Sequence, residues 1–202
     1  MSTDSHYFCT NNGSLGKNNR QIKHQTVNNL GLIHIYTGDG KGKTTASVGL
    51  AIRALGSGLK VVYCSFHKKP EKYGYTEIDG LKKLGAQVFT FAKGHPHLDR
   101  SIDENAIKRE VSEAIDTLNR MLKNDQTDML ILDEILISVR DNYLEENTLI
   151  DFIKNKPPHT ELILTGRGAT PNVMDLADYV SFIRKIKHPY DKGVFSREGI
   201  EY

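Results

Sequence analysis

Residues 32–45 read LIHIYTGDGKGKTT, and the pattern of this segment indicates the fold class of the chain. Its first part is a short apolar, β-branched run that predicts a buried strand over residues 32–36. Its second part is a glycine-rich loop that ends in Gly42-Lys43-Thr44, as the phosphate-binding pattern G-x-x-x-x-G-K-[ST] does. An apolar pattern with helical spacing follows over residues 44–55. We therefore expect a phosphate-binding loop between the first strand and the first helix.

Each part of this loop has a physical role in holding the triphosphate of a nucleotide. Glycines let backbone N–H groups approach phosphate oxygens closely, and the start of a helix adds a positive dipole end. The Lys43 ammonium supplies charge, and the Thr44 hydroxyl can hold a divalent metal ion. The predicted nucleotide contacts in the loop are Gly38, Asp39, Gly40, Lys41, Gly42, Lys43, Thr44 and Thr45. Thr37 stands where the pattern has its first Gly, and for Lys41 a solvated loop lysine is the alternative.

The rest of the chain alternates strand and helix patterns. Further strands are predicted over residues 60–66, 86–91, 129–132, 161–165 and 179–183. Helices are predicted over residues 103–122, near 136–143 and 147–154, and from Thr170-Pro171 onward. The strands are apolar without alternation, which is typical of a parallel sheet covered by helices on both faces. The expected fold class is α/β, a P-loop NTPase (RecA-like) three-layer fold with a mostly parallel sheet.

Composition bounds the domain organisation and the class of partner. Residues 1–30 are polar and carry the whole net charge of +2. We therefore expect a flexible segment there, with a helix over residues 18–28 as the alternative. One nucleotide-binding domain is expected over residues 31–202. Basic and acidic residues balance in that domain, which argues against nucleic acid as a partner. No apolar run has the length of a membrane span or of a signal-peptide core, so we expect a cytoplasmic protein that does not contact a membrane.

Two other groups of polar residues follow predicted strands. Asp133 and Glu134 come directly after the most apolar strand, where a carboxylate opposite Thr44 can bind Mg²⁺ or Mn²⁺; an acidic pair that caps the next helix is the alternative. Arg167 lies in Thr165-Gly166-Arg167-Gly168 after the next strand and can clamp a triphosphate. Because ligands of parallel sheets bind beyond the carboxyl ends of the strands, we expect these groups and the glycine-rich loop to meet.

The set of motifs resembles the P-loop type of corrinoid adenosyltransferase, from about residue 18 to the end of the chain. The motifs that carry the resemblance are TGDGKGKTT (37–45), LDE (132–134), TGRG (165–168), KHPYDKGV (187–194) and GIEY (199–202). Thr37 in place of the first Gly also fits this family. The resemblance implies transfer of the 5′-deoxyadenosyl group of ATP to the Co(I) centre of a reduced corrinoid, with release of triphosphate. The implied corrinoid is cob(I)alamin or cob(I)yrinic acid a,c-diamide, and the implied role is in cobalamin biosynthesis or salvage. It also implies catalytic roles for Lys43 and Glu134 and metal binding by Thr44, Glu134 and Asp133.

The resemblance implies further partners and shows two departures. Members of the family take electrons from a reductase, and we expect one here, together with a possible homodimer. Where the family often has aromatic residues that pack on the corrinoid, this chain has His95 and His97, and residues 67–70 read HKKP where the family tends to have a lysine followed by glycine. The alternatives to an adenosyltransferase are a P-loop kinase or ATPase with another substrate and a nucleotide-binding regulator.

Overall fold

Six parallel strands form one sheet at the centre of the molecule. The computed structural model describes residues 30–69, 74–96, 99, 101–124 and 126–201. The strands are β1 (Ile33–Thr37), β2 (Val61–Phe66), β3 (Gln87–Phe91), β4 (Met129–Asp133), β5 (Glu161–Thr165) and β6 (Tyr179–Phe182). Their order across the sheet is β3-β2-β4-β5-β1-β6, and every neighbouring pair is parallel.

Helices connect these strands. They are α1 (Lys43–Gly56), α2 (Thr76–Lys83), α3 (Glu104–Asn124), α4 (Ile135–Arg140), α5 (Glu146–Asn155) and α6 (Pro171–Met174). Five of them confirm the sequence-based expectation, and at α6 the Thr170 hydroxyl accepts a hydrogen bond from the N–H of Val173, as a cap does. Helix α2 was not predicted, because only Ile78 and Leu81 of its eight residues are buried and they are too few to give a helical period. After β6, a 3₁₀ helix spans Pro189–Lys192.

The helices cover both faces of the sheet, so the three-layer architecture is confirmed. One apolar cluster joins Ala51 and Ala54 of α1 and Ile78 and Leu81 of α2 to one face of the strands. The larger cluster joins α3, α4, α5 and α6 to the opposite face. Strands β4 and β5 are buried at every position, which explains why their sequences are apolar without alternation.

The strand order decides which loops are neighbours. Strand β5 lies between β1 and β4, so the segments that follow these three strands meet at one edge of the sheet. The glycine-rich loop follows β1, Asp133 ends β4, and Thr165 ends β5.

Some sequence-based expectations concern residues that the structure does not describe. Residues 1–29 of the expected flexible segment, including the helix considered for residues 18–28, lie outside the described residues, as does His97. The domain division at residue 30 therefore stays a prediction. Within the described ranges, no helix has both the length and the apolar character that crossing a bilayer needs.

Candidate functional site

The glycine-rich loop packs directly on the segment that follows β6. The N–H of Gly40 donates to the carbonyl of Ile183 at 2.8 Å, and the Asp39 carboxylate accepts from the N–H of Lys185 at 2.9 Å. A Cβ on Gly38 would lie 2.4 Å from the Ile183 carbonyl oxygen, and one on Gly40 would lie 2.8 Å from the same atom. These glycines are therefore required by close backbone contact. Gly42 has φ +127, a conformation that favours glycine, and it immediately precedes α1.

Lys43 and Thr44 stand at the start of α1, at the inner side of the loop. The Lys43 side chain is buried, and its ammonium donates to the Gly40 carbonyl at 2.8 Å, so it curls over the loop. Burial lowers the pKa of Lys43, while the carboxylates of Glu134, Asp39 and Asp133 act in the opposite direction. The Thr44 hydroxyl donates to Asp133 Oδ2 at 3.3 Å, which links the loop to the end of β4.

Asp133 is fully buried and accepts hydrogen bonds from three side chains. Its Oδ1 accepts from the Thr165 hydroxyl at 2.7 Å, and its Oδ2 accepts from the Lys68 ammonium at 2.7 Å as well as from Thr44. Burial by itself raises the pKa of this carboxyl, but the Lys68 charge and the hydrogen bonds outweigh it and hold the pKa below its usual value. Asp133 is therefore an ionised carboxylate whose two oxygens are both engaged by the protein.

Glu134 differs from its neighbour in geometry and in electrostatics. Its backbone is left-handed, with φ +67, and its N–H donates to the Thr165 hydroxyl at 2.9 Å. Its side chain makes no capping hydrogen bond to α4, which argues against the helix-capping alternative. Burial and then the Asp133 charge raise the pKa of Glu134, and Oε2 is buried without a hydrogen-bond partner among the described residues. A buried, unpartnered carboxylate oxygen is costly, so a cation or donor from a ligand would stabilise it.

Arg167 completes the group at this edge of the sheet. Its side chain is exposed, and its positive charge acts on Asp39, Lys43 and Glu134. The two glycines beside it are needed for packing: a Cβ on Gly166 would lie 2.9 Å from the Leu136 Cβ, and one on Gly168 would lie 2.8 Å from the Arg140 Cγ. The glycines on both sides of Arg167 thus let this segment pack closely on α4, while Arg167 itself is exposed.

The structure brings most of the predicted site residues to one edge of the sheet. Lys43, Thr44, Asp133 and Glu134 are linked by hydrogen bonds or act on each other electrostatically, and Lys41 and Thr45 are exposed on the outer side of the loop and of α1. Within the described residues, no three His, Cys, Asp or Glu side chains are arranged to hold a metal ion by themselves.

Lys68 and Glu77 were missed by the reading of the sequence. Lys68 pairs with Asp133, and it also donates to Glu77 of α2 at 2.9 Å. The sequence held a signal for Lys68, because it lies near the carboxyl end of a strand, as Asp133 and Arg167 do.

A second polar cluster adjoins the site at the ends of β2 and β3. His67, which follows β2 with φ +58, has Nε2 2.7 Å from the Ser138 hydroxyl, and its ring lies 5.6 Å from that of His95. His95 Nε2 lies 3.0 Å from an oxygen of Asp141. Burial and the nearby His95 lower the pKa of His67 to about 4, so this imidazole is neutral near pH 7.

Comparison with known proteins identifies the family. The model of the family described as ATP:corrinoid adenosyltransferase BtuR/CobO/CobP matches residues 29–202. The chain belongs to this family. Its activity is the ATP-dependent adenosylation of corrinoids, so the resemblance inferred from the motifs is confirmed at this level, and ATP and a corrinoid are the substrates.

Individual relatives agree with this assignment. The chain is 35% identical to the corrinoid adenosyltransferase of Escherichia coli K12 over 88% of its own length and 89% of the relative. It is 35% identical to corrinoid adenosyltransferase CobA of Salmonella typhimurium over the same shares, and 31% identical to the corrinoid adenosyltransferase of a Sinorhizobium species over 85% and 80%.

A solved structure supports the fold alone. The flagellar accessory protein FlaH of Methanocaldococcus jannaschii superimposes with a TM-score of 0.54 at 15% identity, covering 76% of this chain and 71% of that one.

Proposed function

We propose that this adenosyltransferase family member binds the triphosphate of ATP in the loop of residues 38–45 and releases it whole. In the reaction, the Co(I) atom of the reduced corrinoid attacks C5′ of the ribose, a Co–C bond forms, and the C5′–O bond breaks. The triphosphate leaves with the electron pair of that bond. The observation that carries the proposal is the meeting of Lys43, Thr44, Glu134 and Arg167 at one sheet edge beside the start of a helix.

The residues of the site suit a leaving group better than a protein nucleophile. The negative charge on the triphosphate grows as the C5′–O bond breaks, and groups that are already in place stabilise such charge most effectively. Lys43 is held in the loop by its bond to Gly40, and Arg167 lies exposed beside the loop, which supports the proposal that both contact phosphate oxygens. The nucleophile belongs to the corrinoid, so the protein's task is to orient ATP and exclude competing water.

A divalent cation, Mg²⁺ or Mn²⁺, fits the donor set. The buried and unpartnered Oε2 of Glu134 and the hydroxyl oxygen of Thr44 would hold it, with Asp133 behind them. Mg²⁺ is commonly bound by one or two carboxylates together with substrate phosphates, which agrees with the lack of a three-residue protein cluster among the described residues. When bound, the cation would neutralise part of the triphosphate charge.

The corrinoid would lie beside the second polar cluster, at the ends of β2 and β3. His95 lies in the loop where the family often has an aromatic residue, and its contact with Asp141 holds its ring in place. The ring of the neutral His67 lies 5.6 Å from the His95 ring. Both cob(I)alamin and cob(I)yrinic acid a,c-diamide are proposed acceptors.

An anaerobic assay tests the proposal. Purified protein is mixed with ATP, Mg²⁺ and each chemically reduced corrinoid, and the spectrum and the phosphate products are followed. The expected result is a light-sensitive adenosylcorrinoid together with an equal amount of triphosphate. ADP without adenosylcorrinoid would replace the proposal by a kinase or ATPase, and ATP binding without turnover would favour a regulator.

The remaining proposed partners need separate measurements. Replacing the chemical reductant by an electron-donating reductase tests whether enzymatic reduction supports turnover. Sedimentation of the full chain tests the proposed homodimer, and the cytoplasmic location stays a prediction to be tested by fractionation of cells.

A further inference from the structure

Lys68 is a buried ammonium group shared between two elements of the site. It is the second residue after β2 and is 8% exposed. Its Nζ lies 2.7 Å from Asp133 Oδ2 and 2.9 Å from Glu77 Oε1, and it stands 5.0 Å from the centre of the Tyr75 ring. Burial lowers the pKa of this amine, but the two carboxylates outweigh burial and raise it, so the group is charged.

The contact with Lys68 gives the adjacent carboxylates of Asp133 and Glu134 different surroundings. Asp133 Oδ2 accepts from both Lys68 and Thr44, and Oδ1 accepts from Thr165, so the carboxylate is held from three sides. Glu134 Oε2 has no partner among the described residues. Both oxygens of Asp133 are thus engaged by protein donors, whereas Glu134 keeps one carboxylate oxygen available.

The orientation of Thr44 follows from the same arrangement. Because the Thr44 hydroxyl donates a hydrogen bond to Asp133 Oδ2, the lone pairs of the Thr44 oxygen remain available for a cation. If Asp133 turned, Thr44 would lose the acceptor that sets this orientation. The oxygen that accepts from Thr44 is the one that Lys68 holds.

We propose that Lys68 is a positioning residue for the nucleotide-bound cation: by holding Asp133 it fixes the Thr44 hydroxyl and leaves Glu134 as the carboxylate that meets the cation. This inference rests on the proposed function, in which ATP is bound with a divalent cation. In this proposal Lys68 acts through Asp133, which it contacts, and not by direct contact with either substrate. A purely structural ion pair would affect folding but would leave the contribution of the cation to ATP binding unchanged.

Calorimetric titration of ATP without corrinoid separates these roles. The dissociation constant of ATP is measured with Mg²⁺ and with EDTA. The value in EDTA divided by the value in Mg²⁺ reports how much the cation contributes to ATP binding. In Lys68→Met this ratio should fall about tenfold, the usual effect of losing a residue that orients a metal ligand, while the value in EDTA changes by less than about threefold. Lys69→Met is the matched control, because Lys69 is the neighbouring lysine and pairs with Asp99 at 3.2 Å, and its ratio should match that of the wild type.

Each outcome decides the question. An unchanged ratio in Lys68→Met overturns the proposal, and a larger ratio also overturns it, because Asp133 would then be a ligand that Lys68 had blocked. If Lys68→Met does not fold, Lys68→Gln replaces it, and a ratio lowered by less than about threefold counts against the proposal. A wild-type protein that binds ATP without any effect of Mg²⁺ refutes the proposed cation site instead.

A double-mutant cycle tests whether Lys68 acts through Asp133. Asp133→Asn is made alone and together with Lys68→Met, and the same ratio is measured. The fold changes that the two substitutions cause in this ratio should not multiply in the double variant, because each substitution disrupts the same contact between Lys68 and Asp133. Effects that multiply would show that Lys68 acts independently of Asp133.

Discussion

Gly38 offers a test of how the glycine-rich loop is built, because its Cα faces the backbone after β6. An added Cβ would lie 2.4 Å from the Ile183 carbonyl oxygen and 2.9 Å from the Ile183 nitrogen, about 1 Å inside ordinary contact. The position also has φ +102, which side chains rarely adopt. We therefore expect Gly38→Ala to disturb both the stability of the chain and the shape of the loop.

The magnitude follows from two costs. Backbone strain at such a φ costs about 1–3 kcal/mol. Inserting a methyl group into packed atoms costs about 1–3 kcal/mol. The free energy of unfolding should therefore fall by about 2–6 kcal/mol, unless the loop moves away from Ile183 and relieves part of the strain. A loop that moves would misplace the N–H groups that receive phosphate, so ATP binding should weaken in either case.

Urea unfolding and calorimetric ATP titration are the measurements. Gly49→Ala is the matched control, because Gly49 lies inside α1 and a Cβ there meets nothing within 4 Å. This variant should be more stable than the wild type by about 0.5–1 kcal/mol and should bind ATP normally. A Gly38→Ala protein with wild-type stability and wild-type ATP affinity would refute the role assigned to the contact with Ile183.

Three further predictions concern charged and titrating side chains. Lys43→Ala should weaken ATP binding about 10- to 150-fold, the loss of a charge-assisted hydrogen bond worth about 1.5–3 kcal/mol, measured by calorimetry. Lys156→Ala is the matched control for Lys43→Ala, because the Lys156 amine also donates to a backbone carbonyl, that of Gly31. This contact lies at the amino-terminal edge of the sheet, so ATP affinity should stay unchanged. Arg167→Ala should weaken ATP binding about tenfold, since an exposed side chain loses less than a buried one, and the same titration checks it. The pKa of His67, about 4 when folded and about 6.5 when unfolded, predicts that the free energy of unfolding falls by about 3 kcal/mol between pH 6.5 and pH 4, which urea unfolding across that range measures.

The sign of the pH effect can be stated directly. Burial and the His95 charge keep His67 neutral in the folded chain, so as the pH falls the unfolded chain takes up a proton first and becomes favoured. The stabilisation is complete above pH 6.5 and is lost as the pH falls toward 4. His67→Asn should flatten this dependence, whereas His159→Asn, at an exposed position, should not. An unchanged slope in His67→Asn would assign the effect to other groups.

Local patterns in the sequence were sufficient for the main elements of the fold. Strands β4 and β5 are apolar throughout because both of their faces are covered, and the loop before α1 has its glycines where the backbone contacts Ile183. Helix α2 escaped prediction because it buries only two side chains, too few for a recognisable period.

The amino-acid sequence by itself determined the phosphate loop, the parallel α/β sheet and the strand ends at which Asp133 and Arg167 stand, because these features are recorded in residues close together in the chain. Two contacts became evident only from the folded chain: Lys68 pairs with Asp133, 65 residues away, and the backbone of Ile183 packs against Gly38. Such contacts depend on the order of the strands in the sheet, and residue periodicity does not encode that order.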